Sequence, residues 1–204
     1  MTVSLWRGSE PLLLASASAT RRVMLEAAGI SVEVRPADVD ERALQRGLQS
    51  TTGEAIALSL AKAKAHAISA AVAVRIVVGA DQTLSCDDAL FDKPADIEAA
   101  FAQLMALRGR THQLHSAVAV TCGDRLLFAH CASASLTMRL FSETFLRNYL
   151  DALGAAAMSS VGCYQIEGVG AQLFERIDGD HFTILGLPLL PLLSFLRAER
   201  LLHD

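Results

Sequence analysis

The segment RIVVGAD, residues 75–81, constrains the fold more strongly than any other part of this sequence. Its short, continuous apolar run is typical of a strand that is buried on both faces within a parallel sheet. Asp81 follows the run directly, and ligands of open α/β sheets bind beyond the carboxyl ends of such strands. The segment therefore predicts a central strand that ends in a candidate functional carboxylate. A simple turn-capping role for Asp81 is the alternative.

Segments with strand and helix patterns alternate along the rest of the 204 residues. PLLLAS predicts a buried strand, and TRRVMLEAAG predicts a helix that turns Val23 and Met24 toward the core and ends at Gly29. A long Ala-rich helix is expected from Glu54 to about Val74. The spacing of these elements is typical of a domain in which helices cover a sheet.

The second half of the chain contains a strong hairpin signal. Two strand-like runs, THQLHSAVAVT and RLLFAHCASASLTMRL, are joined by Cys-Gly-Asp at residues 122–124. Further helices are expected after the N-cap residues Asp96 and Ser142, and the segment LPLLPLLSFLRAERLL predicts a closing helix. Because helices interleave with strands and one strand pair is hairpin-linked, we expect an α/β fold with a mixed sheet, forming a single domain over residues 1–204.

Composition excludes several classes of partner. The formal net charge of −4 argues against a general nucleic-acid binder, which usually carries a basic face. No apolar stretch reaches the roughly 18 residues of a membrane-spanning helix, since the longest run, ILGLPLLPLLSFL, is shorter and contains two prolines. We therefore expect neither nucleic acid nor a membrane as a partner. A few well-placed cations would still suffice to bind a small anionic ligand.

Cysteines and histidines do not form a metal-binding pattern. The four cysteines contain no C-x-x-C pair and lie in apolar segments, which favours free thiols over disulfides. The six histidines are scattered. His112 and His115 are three positions apart, which places them on opposite faces of a strand. We therefore do not expect a zinc site.

The stretch PLLLASASATRR, residues 11–22, has two interpretations. Its apolar run and Ala-x-Ala pattern are similar to the end of a secretory signal peptide. However, Glu10 precedes the run directly, Ser16 and Ser18 interrupt it, and cleavage there would fall just before the first helix. We favour a strand that leads into a Ser-rich turn and a helix with two arginines. On this interpretation the protein is expected in the cytoplasm.

One lysine of the Ala-rich helix departs from the local pattern. Lys64 lies on the apolar stripe that Ile56, Leu60 and Ile68 define at helical spacing. An apolar stripe makes a charged group costly unless a partner compensates it, although a lysine at the edge of a core often extends its ammonium group to solvent. Lys62, by contrast, shares a face with Ser59, His66 and Ser69, which predicts an ordinary solvated position.

Several residues together would suit a polyphosphate. Ser16, Ser18 and Arg21 offer hydroxyl groups, helix N-terminal N–H groups and a guanidinium for phosphate oxygens. Lys64 and Lys93 add point charges, although Lys93 in its Asp-Lys-Pro loop is equally typical of a surface lysine. The two acids Glu41 and Asp81 are hard oxygen ligands of the kind that Mg²⁺ or Mn²⁺ accepts. These are the groups that phosphoanhydride hydrolysis needs.

The order of the motifs resembles that of the Maf family of nucleoside triphosphate pyrophosphatases. The resemblance covers residues 12–189, and its segments are LLLASASATRRVMLEAAGI, VRPADVDE, LAKAKA, VVGADQTL, DKPAD, LRGRTHQLHSAVAV, GCYQIEGVGAQLFERIDGD and ILGLPL. It implies an ITPase-like α/β fold with a mixed twisted sheet, flanking helices and two lobes around a central cleft. It also implies hydrolysis of a nucleoside triphosphate to the monophosphate and pyrophosphate, with Mg²⁺, Mn²⁺ or Co²⁺, as in the cleansing of nucleotide pools.

The resemblance also implies a role for each motif residue. Asp81 corresponds to the catalytic aspartate, and Glu41 and Asp81 to the acids that hold the metal. The residues implied in substrate binding are Ser16, Ser18, Arg21, Lys64, Gln82, Lys93 and Glu167.

Four positions bear on the choice of substrate. Ala19 and Thr20 replace the proline of the family's phosphate loop and the arginine or aromatic residue after it. Gln82 and Glu167 stand where the branch of the family that acts on dTTP and UTP usually has threonine and glutamine. The combination of Gln82 and Glu167 is more similar to the branch that acts on 7-methyl-GTP, although Thr20 lacks that branch's aromatic ring. The preferred base is left open.

Two rival functions differ in class. The motif Asp178-x-Asp180 is similar to that of phosphatases with an aspartyl nucleophile, but only a short tail follows it, which favours a β-turn. The non-enzymatic alternative is a regulatory protein that binds a nucleotide, or a division-site partner, with little or no turnover. The sequence also leaves open whether the chain forms a homodimer.

Overall fold

A computed structural model describes residues 5–72, 74–87 and 89–203. The described residues form seven strands: β1 (Leu12–Leu14), β2 (Val32–Val34), β3 (Ile76–Cys86), β4 (Ala89–Phe91), β5 (Thr111–Cys122), β6 (Arg125–Met138) and β7 (Phe174–Asp178). They also form seven α-helices: α1 (Ala19–Ala27), α2 (Glu41–Arg46), α3 (Gly53–Ser69), α4 (Ile97–Leu107), α5 (Glu143–Leu153), α6 (His181–Ile184) and α7 (Leu189–Ala198). Two short 3₁₀ helices span Gly154–Ser159 and Val169–Leu173.

The strands form one mixed sheet in the order β2-β1-β3-β5-β6-β7, with β4 paired to β3. β1 pairs with β2 and β3 in parallel, whereas the β3–β4 and β6–β7 pairs are antiparallel. The expected α/β class with a mixed sheet is therefore confirmed. β3 is the central strand predicted from RIVVGAD, since its first residues lie between β1 and β5.

The described chain divides into two compact units. The first unit contains residues 5–82 without residue 73, residues 115–133 and residues 180–203. The second contains residues 83–114 without residue 88, and residues 134–179. Strands β3, β5 and β6 each contribute residues to both.

In the first unit, alternate residues of each strand face different helices, as the period of two in a strand requires. One sheet face packs with α1 and α7, and its core residues include Leu12, Leu14, Val78, Ala80, Val118, Val120, Met24, Leu25, Leu192 and Leu196. The other face packs with α3 through Ala57, Ala61, Ala65, Ala117, Ala119, Leu13, Val77 and Ile68. The sheet is thus the middle layer between helices, which explains why β1 and β3 are apolar on both faces.

The second unit has its own core. α4, α5 and the 3₁₀ helix at Gly154–Ser159 contact one another. A separate aromatic group forms around the buried Tyr164, whose ring lies edge-on to Phe174 with 4.8 Å between ring centroids. The Tyr164 hydroxyl lies 2.7 Å from Nε2 of the buried His112.

Most local signals in the sequence correspond to observed features. Asp96 and Ser142 cap α4 and α5, and their side chains accept hydrogen bonds from backbone N–H groups three residues on. Gly123 lies at the β5–β6 turn with a φ of 57°. Between β3 and β4, Asp87 has a φ of 49°, and residue 88 is outside the described residues.

Four details were predicted wrongly. The central strand was expected to end at Asp81, but it continues to Cys86, because its last residues pair with β4. Val23 is 54% exposed, because the buried stripe of α1 runs through Met24 and Leu25 instead. The Ala-rich helix ends at Ser69, and no glycine or proline marks that end in the sequence. Ser69 itself is buried and donates to the Gly123 carbonyl, so it does not belong to a solvated face.

The structure also bears on the predictions made for the cysteines and for membrane-spanning helices. All four cysteines, at positions 86, 122, 131 and 163, are free thiols, as expected. Within the described residues, the helices are all too short or too polar to span a bilayer. The stretch considered as a signal peptide forms β1, a loop and the start of α1, with Ser18 as the helix N-cap.

Candidate active site

The close approach of α3 to β3 determines where Lys64 and Asp81 meet. Gly79 lies in β3 against α3, and a Cβ atom at this position would overlap the Ala61 carbonyl oxygen and the Ala65 amide nitrogen. A residue without a side chain is therefore needed for this packing distance. Asp81 is on the same face of the strand two residues later, so its carboxylate also points toward α3.

Lys64 is the centre of a three-residue cluster. Its Nζ lies 2.5 Å from Oδ1 of Asp81 and 2.7 Å from Oε1 of Glu41, at the start of α2. The side chains of Lys64 and Asp81 are only 14% and 11% exposed, whereas that of Glu41 is 48% exposed. We call Glu41, Lys64 and Asp81 the Lys64 cluster. The lysine on the apolar stripe of α3 thus has two carboxylate partners rather than a path to solvent.

Burial and charge act in opposite directions on Asp81. Burial raises the pKa of Asp81, and the positive charges of Lys64 and Arg21 oppose this rise without cancelling it. Burial also lowers the pKa of Arg21, while the carboxylates of Asp81 and Glu41 favour its charged form. Arginine remains protonated in proteins, so Arg21 supplies a fixed positive charge that Asp81 and Glu41 both sense.

The Ser-rich loop places Arg21 against the middle of β3, at Ala80. Ser18 is the N-cap of α1 and accepts from the Arg21 amide. The Arg21 Nη1 group donates to the Ser16 hydroxyl and to the Ala80 carbonyl, each at 2.9 Å, and Nε donates to the Gly186 carbonyl at 2.7 Å. The predicted phosphate-loop residues Ser16, Ser18 and Arg21 therefore form one hydrogen-bonded group.

Gln82 lies on the opposite face of β3 from Asp81, as strand alternation requires. Its Nε2 group is within 2.9 Å of the Ser116 hydroxyl and within 3.2 and 3.0 Å of the Thr183 and Ile184 carbonyls. Because two of these neighbours are carbonyl oxygens, the amide nitrogen must point toward them. The Oε1 atom of Gln82 is the part of the amide that remains available for other contacts.

The last two predicted binding residues belong to the second unit. Lys93 is exposed in the segment between β4 and α4. Glu167 is exposed in a turn just before the 3₁₀ helix at Val169–Leu173, where the Gly168 amide donates to the Gln165 carbonyl. The Lys64 cluster, Ser16, Ser18 and Arg21 belong to the first unit. The functional role of every predicted site residue stays a prediction.

The donor set of the Lys64 cluster fits a magnesium-like cation. Such ions are usually held by one or two carboxylates and complete their shell with water and substrate phosphates. Glu41 and Asp81 supply two carboxylates around one point. Across the described part of the chain, no group of three or more His, Cys, Asp or Glu residues could hold a metal ion.

The sequence did not identify Ser116, Thr183 or Gly186 as residues that lie near the candidate site; of the three, Gly186 bonds directly to Arg21. Ser116 donates to the Thr183 carbonyl at 2.6 Å, and both residues are buried polar groups. Gly186 is 165 residues from Arg21 in sequence. The only local signal was that Ser116 interrupts the apolar face continued by Val118 and Val120.

The Asp178-x-Asp180 motif has a structural role at both acids. The Asp180 carboxylate caps α6 and accepts from the Thr183 amide at 2.8 Å and the Thr183 hydroxyl at 3.0 Å. Asp178 pairs with the side chain of Arg176. This geometry supports the turn interpretation over an aspartyl nucleophile.

Comparison with known proteins gives the family. Residues 11–199 match the family model described as Maf-like protein. The chain is 54% identical to the nucleoside triphosphate pyrophosphatase of Nitrobacter winogradskyi over 98% of this chain and 99% of that protein. It is 51% identical to the 7-methyl-GTP pyrophosphatase of Mesorhizobium japonicum over 93% and 96% of the two chains.

A solved structure of a HAM1 protein from Coxiella burnetii superimposes with a TM-score of 0.43 and 14% identity, over 63% of this chain and 72% of that chain. The family match and the two sequence relatives span nearly the whole length of the protein. The chain belongs to the Maf-like family.

Proposed function

We propose that this protein hydrolyses a nucleoside triphosphate to the monophosphate and pyrophosphate with a divalent cation. The observation that carries the proposal is the convergence, within the first unit, of two cations and two carboxylates: Arg21 and Lys64 with Glu41 and Asp81. Relatives that are 54% and 51% identical are named as pyrophosphatases of nucleoside triphosphates and of 7-methyl-GTP. Their near-complete overlap with this chain supports the same reaction class.

Each group of the site has a defined task in this proposal. Asp81 binds or deprotonates the water that attacks phosphorus at the α–β bridge. Arg21 and Lys64 stabilise negative charge on the phosphate oxygens, with Lys93 as a further cation. Glu41 and Asp81 would hold a divalent cation, which would supply positive charge for the triphosphate and the departing pyrophosphate.

The products and the metal requirement provide the direct test. The purified protein is incubated with GTP, 7-methyl-GTP, UTP and dTTP, each with Mg²⁺, Mn²⁺ or Co²⁺. We expect pyrophosphate and the nucleoside monophosphate, and loss of turnover when a chelator is added. Release of orthophosphate and a nucleoside diphosphate would contradict cleavage at the α–β bridge. Tight nucleotide binding with no turnover would favour the regulatory alternative.

We further propose a guanine-type base, with 7-methyl-GTP preferred over UTP and dTTP. Gln82 offers only its Oε1 acceptor, and Glu167 carries an exposed carboxylate. Both are acceptors, and guanine presents N1–H and an amino group side by side, whereas uracil and thymine present one donor between two carbonyls. A residue that presents an acceptor to a base disfavours a base whose own carbonyl it would leave unpaired.

Glu167→Gln tests the base preference. We expect the substitution to reduce the ratio of kcat/KM for 7-methyl-GTP to that for UTP, because one amide donor would then match a pyrimidine carbonyl. Glu175→Gln, at another exposed position of the second unit, is the matched control and should leave the ratio unchanged. A wild-type preference for UTP or dTTP that Glu167→Gln leaves intact would remove Glu167 from base recognition.

A further inference from the structure

Residues 180–186 form a turn that reaches the phosphate loop through a single carbonyl group. This turn contains α6 and ends at Gly186, whose carbonyl accepts from Arg21 Nε at 2.7 Å. We propose that Ser116 and Gln82 are positioning residues for the reaction: they hold residues 180–186 in place, so that Gly186 fixes the orientation of the Arg21 guanidinium. As far as it concerns turnover, this inference rests on the proposed function.

Two side chains of neighbouring strands hold the turn. Ser116 of β5 is fully buried, and its hydroxyl donates to the Thr183 carbonyl at 2.6 Å. The two N–H groups of the Gln82 amide in β3 are shared among three acceptors: the same carbonyl at 3.2 Å, the Ile184 carbonyl at 3.0 Å and the Ser116 hydroxyl at 2.9 Å. Since buried carbonyl groups must be paired, these bonds favour one position of the turn over any displaced one.

The turn is also organised from within. Asp180 accepts from both the amide and the hydroxyl of Thr183, which holds the residue whose carbonyl is bound by Ser116 and Gln82. Gly186 has a φ of 97°, a conformation that residues with a side chain rarely adopt. A Cβ atom there would lie 3.5 Å from Arg21 Nε and 3.6 Å from Gln82 Oε1. The end of the turn is thus bonded to Arg21 through the Gly186 carbonyl, and the Gln82 side chain lies close beside it.

Arg21 is left with one face for a substrate. A guanidinium has five N–H donors. Nε and Nη1 are bonded to Gly186, Ser16 and Ala80, whereas Nη2 makes none of the hydrogen bonds found within the described residues. The two Nη2 donors are therefore the part of Arg21 that can meet a phosphate oxygen, and their direction depends on the three carbonyl and hydroxyl acceptors.

The first test measures the arginine itself and needs no substrate. The Nε–H of Arg21 is followed by ¹⁵N NMR in the full-length protein, assigned by its absence in Arg21→Lys, and its exchange with solvent is measured. We expect Ser116→Ala to speed this exchange about tenfold, because local opening becomes more frequent. Asp180→Ala, a change at an exposed position, should act in the same direction and serves as a second variant if Ser116→Ala does not fold.

Thr121→Val is the matched control. Thr121 is another buried hydroxyl of β5 that donates to a backbone carbonyl, but its partner is Ala65 in α3. We expect Thr121→Val to leave the exchange of the Arg21 Nε–H unchanged. Wild-type exchange in both Ser116→Ala and Asp180→Ala would overturn the proposal, and so would an equal acceleration in Thr121→Val.

The second test asks whether Ser116 acts through Arg21. Misplacing a binding group by about 1 Å can cost about 10²-fold in rate, so we expect Ser116→Ala to lower kcat/KM about 10- to 100-fold. In an Arg21→Lys background the same substitution should have little further effect, because the group it orients is already lost. Ser116→Thr, which keeps the hydroxyl, should recover part of the activity.

The two tests separate the inference from the proposed function. Equal losses from Ser116→Ala with and without Arg21 would overturn positioning through the arginine. If the wild-type protein hydrolyses no nucleoside triphosphate, the proposed function fails, and the NMR measurement still decides whether Ser116 orients Arg21.

Discussion

The carboxylates of Asp81 and Glu41 both pair with the ammonium group of Lys64. The ionisation of each member of the Lys64 cluster therefore depends on the charges of the other two. A buried carboxylate is costly without compensation, and the raised pKa of Asp81 reflects that cost even beside Lys64 and Arg21. Asp81 therefore has a raised pKa, and both Asp81 and Glu41 lie against the Lys64 ammonium group. Substitutions in the cluster therefore change chemistry more than packing.

Asp81→Asn should keep the fold and lose most turnover. The amide retains the shape of the carboxylate but neither accepts a proton nor carries charge for a cation. Loss of a positioned acid–base group typically lowers the rate about 10²–10⁴-fold. The measurement is kcat at saturating metal, with Asp151→Asn, at an exposed position of α5, as control. Near-wild-type kcat in Asp81→Asn would show that Asp81 is only a turn residue.

The two lysines of α3 form an internal comparison. Lys64→Ala removes the partner of two carboxylates, so we expect a loss of kcat/KM of about 10²-fold, as for removal of a transition-state hydrogen-bond donor. Lys62 makes none of the ion pairs formed by the described residues and is half-buried on another face of α3. Lys62→Ala should change kcat/KM by less than roughly two- to threefold, as surface substitutions usually do. Equal losses in the two variants would argue against the cluster.

At the scale of the elements, the packing of α3 on β3 brings Lys64 to Asp81. The centre of the interface uses small residues, namely Ala57, Ala61, Ala65, Ala117, Ala119 and Gly79. Small side chains allow the helix to approach the sheet closely, and a lysine can then reach a carboxylate of the strand. The position of the cluster is therefore a property of the interface and not of one loop.

Gly79→Ala tests this dependence. A Cβ atom at position 79 would overlap backbone atoms of α3, which cannot move aside as a flexible side chain can. Overpacking of this kind costs about 1–3 kcal/mol or more, so we expect a loss of unfolding free energy near the upper end, measured by urea denaturation. Gly47→Ala, where the new Cβ would lie 3.5 Å from its nearest neighbour, should stay within about 1 kcal/mol of wild type. Comparable stability of the two variants would contradict the close-packing argument.

Local patterns in the sequence were sufficient to predict helices and strands. They were not sufficient to predict which distant residues contact one another. The helical phase of α3 identified Lys64 as unusual, and cap residues identified the starts of α4 and α5. The need for glycine at position 79 depends on how closely α3 approaches, which no local pattern contains. The same holds for the bond between Ser116 and Thr183, which are 67 residues apart in the chain.

At the scale of the whole molecule, two buried histidines make stability depend on pH. His112, in the second unit, is 1% exposed, and burial lowers its pKa to about 4. Its Nε2 faces the Tyr164 hydroxyl, and burial raises the pKa of Tyr164 well above 10, so the tyrosine stays neutral. Burial also lowers the pKa of His115 in the first unit, although the charge of Glu54 opposes this. Each unit therefore contains a histidine that binds a proton more readily in the unfolded chain than in the folded protein.

The sign of the resulting pH dependence follows from proton binding. Between about pH 6.5 and pH 4 the unfolded chain takes up a proton at His112 that the folded chain does not, so stability falls as the pH falls through this window. Each such histidine contributes at most about 1.4 kcal/mol per pH unit. We expect the unfolding free energy, measured by urea denaturation from pH 7 to pH 4, to decline with a shallower slope in His112→Gln than in wild type, whatever the absolute stability of the variant. His66→Gln, at an exposed position of α3, should keep the wild-type slope. An unchanged slope in His112→Gln would show that His112 is already protonated in the folded protein across this range.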